Sequence, residues 1–260
     1  MLIFDSGVGG LSILENIKNN FPKINYIYLL DNEGFPYGEK KESFIIQRSI
    51  NIINTIQKLY PINIVIIACN TASTISLSIL KKHFDIPIIG VLPSLTKAKK
   101  ITKNNIIGFI ATKATIKSVY TQNILSKYIH YEKIKVIATN KLAEIAEKKI
   151  KKLPISNLEL KKVFNSWIIS ISQPDTIYLG CTHFTFLKNE IQNIFKKPIN
   201  FVETHDKVTR MVKKFFLNNK YNQKIKKNIF LYSKNNIEPN QLFWILKKYQ
   251  FRYIKLINLD

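Results

Sequence analysis

Short apolar runs alternate along this chain with longer segments of helical period, which is the pattern of an α/β protein with mainly parallel strands. The runs expected as strands are Leu2 to Phe4, Asn25 to Leu30, Asn63 to Ala68, Ile86 to Val91, Asn105 to Ile110, Lys133 to Ala138, Thr176 to Gly180 and Ile199 to Glu203. Helices fill the gaps. In SFIIQRSINIINTIQKLY, Ile46, Ile50, Ile53 and Ile56 recur at three- and four-residue steps, so a helix there is expected to turn one apolar stripe to a sheet. The alternation is interrupted at GVLPSLTKAKKITKNN (90–105) and again after Glu203. Each part begins with a strand and a loop and later reaches a strand ending in cysteine, so two similar α/β units are expected.

Composition narrows the class. A chain of 260 residues with 46% hydrophobic residues can bury one large or two modest cores. No apolar stretch approaches the roughly 20 residues that span a bilayer, and MLIFDSGVGG lacks the layout of a secretion signal. The expected location is therefore the cytoplasm, without a membrane, and the two cysteines are expected as reduced thiols. Two thiols are too few for a structural zinc site unless histidines complete it, and of the four histidines only His183 lies close in sequence to a cysteine. The net charge of +23 invites a nucleic-acid reading, but lysines are scattered almost everywhere and no recognition motif accompanies them. Solvated lysine faces are expected, with no specific nucleic-acid partner.

The two cysteines stand in matching contexts, NIVIIACNTAS (63–73) and DTIYLGCTHFT (175–185). Both are expected at the carboxyl end of a strand, where loops of open α/β sheets collect ligands. A thiol at a helix N-terminus is expected to fall below its usual pKa of about 8.5, through the positive end of the helix dipole. The loop FDSGVGGLS (4–12) has glycines that let backbone N–H groups approach an anion. It is not a dinucleotide loop, because Ser12 stands where the third glycine belongs, and no Gly-Lys-Ser/Thr P-loop is present. Asp5 is left to orient a neighbouring proton-transfer group and Ser6 to bond a ligand. FPYGEK places Tyr37 and Gly38 in a loop after the second strand. Asn70, Thr71 and Thr182 can donate to a carboxylate, although helix capping explains Asn70 and Thr71 equally well. His183, two residues from Cys181, can help that thiol gain or lose a proton.

Taken in order, IFDSGVGGLSIL, DNEGFPYGEK, IIACNTAS, GFIATKATIKSVY and LGCTHFTFL resemble the motifs of glutamate racemases, cofactor-independent enzymes that supply D-glutamate for peptidoglycan. The resemblance implies two flavodoxin-like α/β domains with mainly parallel sheets and the active site at their interface. Residues 1–92 plus 205–260 would form the first domain and 93–204 the second. It implies glutamate as the small-molecule substrate, no cofactor and no metal. Cys69 and Cys181 would be the acid/base pair, with Asp5 assisting near Cys69, His183 near Cys181, and Glu147 as a further acidic residue. Asp5, Ser6, Tyr37, Gly38, Asn70, Thr71, Thr112, Thr115, Thr182 and His183 would contact the substrate. Such a mechanism suits the chemistry, because an α-carbanion without an electron sink needs oriented bases and fixed dipoles.

Three features depart from the family pattern. Thr139 and Asn140 stand where many members have Cys-Pro, and FVETHD (201–206) stands where an Asp-Ser-Gly run is usual. The sequence also opens on its first strand, so the N-terminal extension of the branch activated by the UDP-N-acetylmuramoyl-alanine precursor is expected to be lacking, which puts such activation in doubt. The alternatives are a related two-cysteine racemase or isomerase acting on aspartate or a similar acid, or a basic nucleic-acid-binding protein. The oligomeric state is open, a homodimer included.

Overall fold

The computed structural model describes residues 1–128, 133–218, 227–235 and 239–259. In it the apolar runs become two sheets whose neighbouring strands are all parallel. The first contains β1 (Leu2–Asp5), β2 (Ile27–Leu30), β3 (Val65–Ile67) and β4 (Ile88–Gly90). The second contains β5 (Ile106–Ala111), β6 (Lys133–Ala138), β7 (Thr176–Leu179) and β8 (Asn200–Val202). The chain then returns to the first sheet with β9 (Ile229–Tyr232) and β10 (Tyr253–Leu256). Strand order is β10-β9-β2-β1-β3-β4 in one sheet and β6-β5-β7-β8 in the other.

Helices α1 (Leu11–Asn20), α2 (Glu42–Leu59), α3 (Asn70–His83) and α4 (Thr96–Ile101) precede the second sheet. Within it follow α5 (Lys113–Lys117), α6 (Val119–Tyr128), α7 (Lys141–Ile150), α8 (Asn157–Ile168) and α9 (Lys188–Ile194). The last two are α10 (His205–Asn218) and α11 (Pro239–Lys248). A parallel sheet needs crossover connections, and these helices cover both of its faces. Along β1, Leu2 and Phe4 pack with Ile45, Ile52 and Ile53 of α2, while Ile3 points to the opposite layer with Leu14 and Ile17 of α1. The second sheet divides likewise, with Phe109 in one layer and Ile110 in the other.

Two expectations need correction. The buried stripe of α2 is Ile45, Ile52, Ile53 and Ile56, together with Arg48 and Ser49, whereas Ile46 and Ile50 lie at its margin. The stripe is turned because Arg48 reaches a buried carboxylate described below, and Ser49 satisfies its own hydroxyl on the Ile45 carbonyl. The hydrophobic pattern also predicts no strand after Glu203, yet β9 and β10 extend the first sheet beyond β2. β9 is a four-residue run that periodicity cannot separate from a helix segment, and every residue of the edge strand β10 is exposed.

The order of the strands positions the site. In the first sheet the succession reverses direction at β1, with β2 on one side and β3 on the other; in the second it reverses at β5, between β6 and β7. Ligands in open α/β sheets bind at the carboxyl ends of strands flanking such a reversal. Asp5 ends β1 and Cys69 follows β3; Cys181 follows β7. Among the described residues no helix is long and apolar enough to cross a membrane.

Candidate active site

Asp5 has no exposure to solvent, and Cys69 only 6%. Asp5 accepts the Ser6 N–H at 2.7 Å, the Thr182 hydroxyl at 3.0 Å from the second unit, and the Cys69 thiol. Burial raises the Asp5 pKa, and the charge of His183 and these hydrogen bonds pull it only partly back. Burial, followed by the Asp5 charge, raises the Cys69 pKa well above the usual thiol value. This corrects the expectation of a thiol acidified by its helix. Cys69 does precede the first residue of α3, but the dipole contributes at most about 2 kcal/mol. Desolvation next to a carboxylate works against it and wins.

On the opposite side, Cys181 opens the 3-10 turn Thr182–Leu187, and its sulfur lies 3.7 Å from His183 Nδ1. His183 Nε2 lies 3.0 Å from Glu147 Oε1, which also accepts the Val8 N–H at 3.0 Å. Burial would raise the Glu147 pKa, but His183 and the Val8 N–H outweigh it and hold the carboxyl below its usual value. An acceptor-only carboxylate calls for a proton on Nε2, which leaves Nδ1 as the ring atom facing the Cys181 sulfur. The Gly9 N–H, 3.3 Å from Nε2, then faces a donor, and the shorter charge-assisted contact decides the tautomer. Burial alone would lower the His183 pKa, but the bonds to Cys181 and Glu147 raise it well above the ordinary imidazole value. Glu147→Gln removes that charge. The His183 titration midpoint, followed by imidazole NMR, is expected to fall; an unchanged midpoint would show that Glu147 does not set it.

Two glycines let the units approach this closely. A Cβ on Gly7 would lie 2.5 Å from His183 Nε2, and one on Gly9 would lie 2.5 Å from His183 Nδ1. The glycine loop of FDSGVGGLS therefore receives a protein side chain against its backbone.

Further around the site, the Thr71 hydroxyl of α3 meets those of Thr112 and Thr115 at 2.9 and 3.0 Å, which are themselves 2.9 Å apart. The Thr112 oxygen also caps α5 through the Thr115 N–H. Asn70 donates to the Val91 carbonyl at 3.0 Å. Ser6 is buried beside Asp5. The Tyr37 hydroxyl turns away to Asp31, at 2.5 Å, so its oxygen is already engaged. A Cβ on Gly38 would lie 2.9 Å from Thr112, which leaves that backbone facing the second unit.

The sequence reading missed the group behind Tyr37. Asp31 Oδ1 accepts Arg48 Nη2 at 2.8 Å and Ser233 Oγ at 2.7 Å, while Oδ2 accepts Arg48 Nε at 3.0 Å and Tyr37. The one available signal was an arginine one turn from Ile45 and Ile52 on an apolar helix face. Asn140 was also missed as a bridge. It accepts the Lys113 N–H at 3.1 Å and lies 3.4 Å from Glu39 of the first unit. Among the described residues no group of three or more His, Cys, Asp or Glu side chains could hold a metal ion.

Two α/β units with parallel sheets thus each bring a buried cysteine to the site, Cys69 near Asp5 and Cys181 beside His183. The family described as Asp/Glu/Hydantoin racemase matches residues 10–207, and the chain belongs to it. It is 63% identical over 260 residues, all of both chains, to the glutamate racemase of Buchnera aphidicola subsp. Schizaphis graminum (strain Sg). Identity to the glutamate racemase of Buchnera aphidicola subsp. Acyrthosiphon pisum (strain APS) is 59% over 262 residues, again all of both chains. The crystal structure of Escherichia coli glutamate racemase in complex with L-glutamate and the activator UDP-MurNAc-Ala superposes with a TM-score of 0.93. It is 34% identical, over 99% of this chain and 97% of that one. The chain is an isomerase, and these relatives are glutamate racemases.

Proposed function

We propose that this isomerase interconverts L- and D-glutamate by proton transfer between two thiols on opposite faces of the substrate. The observation that carries the reading is the pair of buried cysteines at two sheet reversals, one bonded to Asp5 and the other to the His183–Glu147 pair. In one direction the Cys181 sulfur takes the proton from Cα, breaking the C–H bond and forming S–H, while Cys69 gives its thiol proton to the other face. In the reverse direction the roles exchange. A raised pKa keeps Cys69 protonated at neutral pH, ready to donate, and the imidazolium of His183 can bond the Cys181 sulfur as it changes charge. In the reverse direction Asp5 takes the thiol proton so that the Cys69 thiolate can act as base, and after a forward turnover a protonated Asp5 returns a proton to the Cys69 thiolate.

Ser6, Asn70, Thr71, Thr112, Thr115 and Thr182, with the backbone at Tyr37–Gly38, are proposed to hold the substrate. The three threonine hydroxyls bond one another and can turn outward to a carboxylate. The domain limits proposed with this reading are 1–92 plus 205–260 and 93–204, and the membership of the strands in two separate sheets supports them. A cytoplasmic role in supplying D-glutamate for peptidoglycan goes with this reading.

The purified protein, exhaustively chelated and desalted, is expected to racemise glutamate at an undiminished rate and aspartate far more slowly. It should also relieve a bacterium of its D-glutamate requirement. Activity that returned only with an added cofactor, or a preference for another amino acid, would overturn the reading.

A further inference from the structure

The segment Glu203–Thr204–His205, one of the departures from the family pattern, lies where the chain leaves β8 and returns to the first sheet through α10. Each of its three residues holds a different element near the site. Glu203 pairs with Lys188 and accepts the Thr185 hydroxyl at 2.5 Å. Thr185 belongs to the same turn as Thr182 and His183. Burial would raise the Glu203 pKa, but His205, Lys188 and Thr185 hold it below the usual carboxylate value. The Thr204 hydroxyl is bonded to Tyr178 of β7, three residues before Cys181. His205 Nε2 lies 3.3 Å from the Ser12 hydroxyl at the start of α1.

The hydrogens settle the direction of this last contact. Ser12 spends its single proton on the Gly9 carbonyl at 2.8 Å, so its oxygen can only accept from His205. The contact is therefore a hydrogen bond when Nε2 carries the hydrogen, and Nδ1 lies 3.5 Å from the Glu203 carboxylate. Gly9 is one of the two glycines whose backbone is packed against the His183 ring. One connected path thus runs from His205 through Ser12 and Gly9 to His183, while Glu203 braces the turn that carries His183 from the other side.

We propose that Glu203–Thr204–His205 is a three-point strap, and that His205 is a positioning residue which holds the glycine loop against His183. The inference rests on the reading of His183 and Cys181 as acid/base partners. A displacement of about 1 Å at a reacting group can cost up to two orders of magnitude in rate, so a lost strap should show in turnover more than in binding.

The experiment measures kcat and KM for both glutamate enantiomers, together with the His183 titration midpoint by NMR, in wild type, His205→Leu, His205→Gln, Ser12→Ala and the double variant H205L/S12A. His205→Leu is expected to lower kcat about tenfold or more with KM changed less than about twofold. His205→Gln, whose amide N–H can reach Ser12, should recover most of the rate. Ser12→Ala should reproduce the loss, and the double variant should be no worse than either single change, since both cut the same path. The His183 midpoint should shift in His205→Leu and Ser12→Ala. An active wild type with unaltered kcat in His205→Leu, or a loss that glutamine does not repair, would overturn the strap. Should leucine prevent folding, the comparison of Ser12→Ala with His205→Gln carries the same decision. A wild type that does not racemise glutamate refutes the functional reading instead, and the strap is then judged on the His183 midpoint alone, an unshifted value refuting it.

Discussion

Replacing either Cys69 or Cys181 by serine is expected to lower racemisation by about a thousandfold or more, within the range that a positioned acid or base contributes. Serine preserves much of the shape but is a far weaker base at neutral pH. Both side chains are buried, so water cannot readily substitute for the lost group. The two variants should differ in what remains. With Cys181 intact, exchange of the α-hydrogen with deuterated solvent should persist for L-glutamate; with Cys69 intact, it should persist for D-glutamate. Racemisation near the normal rate in either variant would refute the two-thiol mechanism, and the same enantiomer preference in both would refute the assignment of faces.

Arg48→Met is expected to lower folding stability by about 3–5 kcal/mol, the cost of stripping one partner from a buried ion pair. Asp31 has no solvent exposure, and Arg48 grips both of its oxygens. Burial alone would raise the Asp31 pKa, but Arg48, Tyr37 and Ser233 hold it below the usual carboxylate value. A depressed pKa contributes stability that is complete above the unfolded-state value of about 3.9 and is lost as pH falls through the folded-state value. The deficit of Arg48→Met should therefore be largest near neutral pH and shrink on acidification, as Asp31 becomes protonated in both proteins. Urea denaturation at a series of pH values measures it. A deficit below about 1 kcal/mol at neutral pH, as for an exposed pair, would show that Arg48 does not neutralise Asp31. Because Tyr37 shares Asp31 with Arg48, the same variant should loosen the Tyr37–Gly38 loop.

The sequence by itself determined the alternation of strand and helix as far as Glu203, and the position of both cysteines just beyond a strand. Those features depend on local periodicity and on short motifs, which act within a few residues. The edge strand β10 escaped because all of its residues are exposed, and Arg48 was hidden because a charged residue on an apolar helix face has no local explanation. Only the tertiary structure decided how the site's groups meet. Thr182 and Asp5 are 177 positions apart, and His183 reaches Glu147 across 36. It also decided the protonation of Cys69. From the sequence the thiol has only a helix dipole beside it, which favours the anion; in the fold it has burial and the Asp5 carboxylate as well, and these favour the thiol. Desolvation and Coulomb interaction depend on neighbours in space, and spacing along the chain does not contain them.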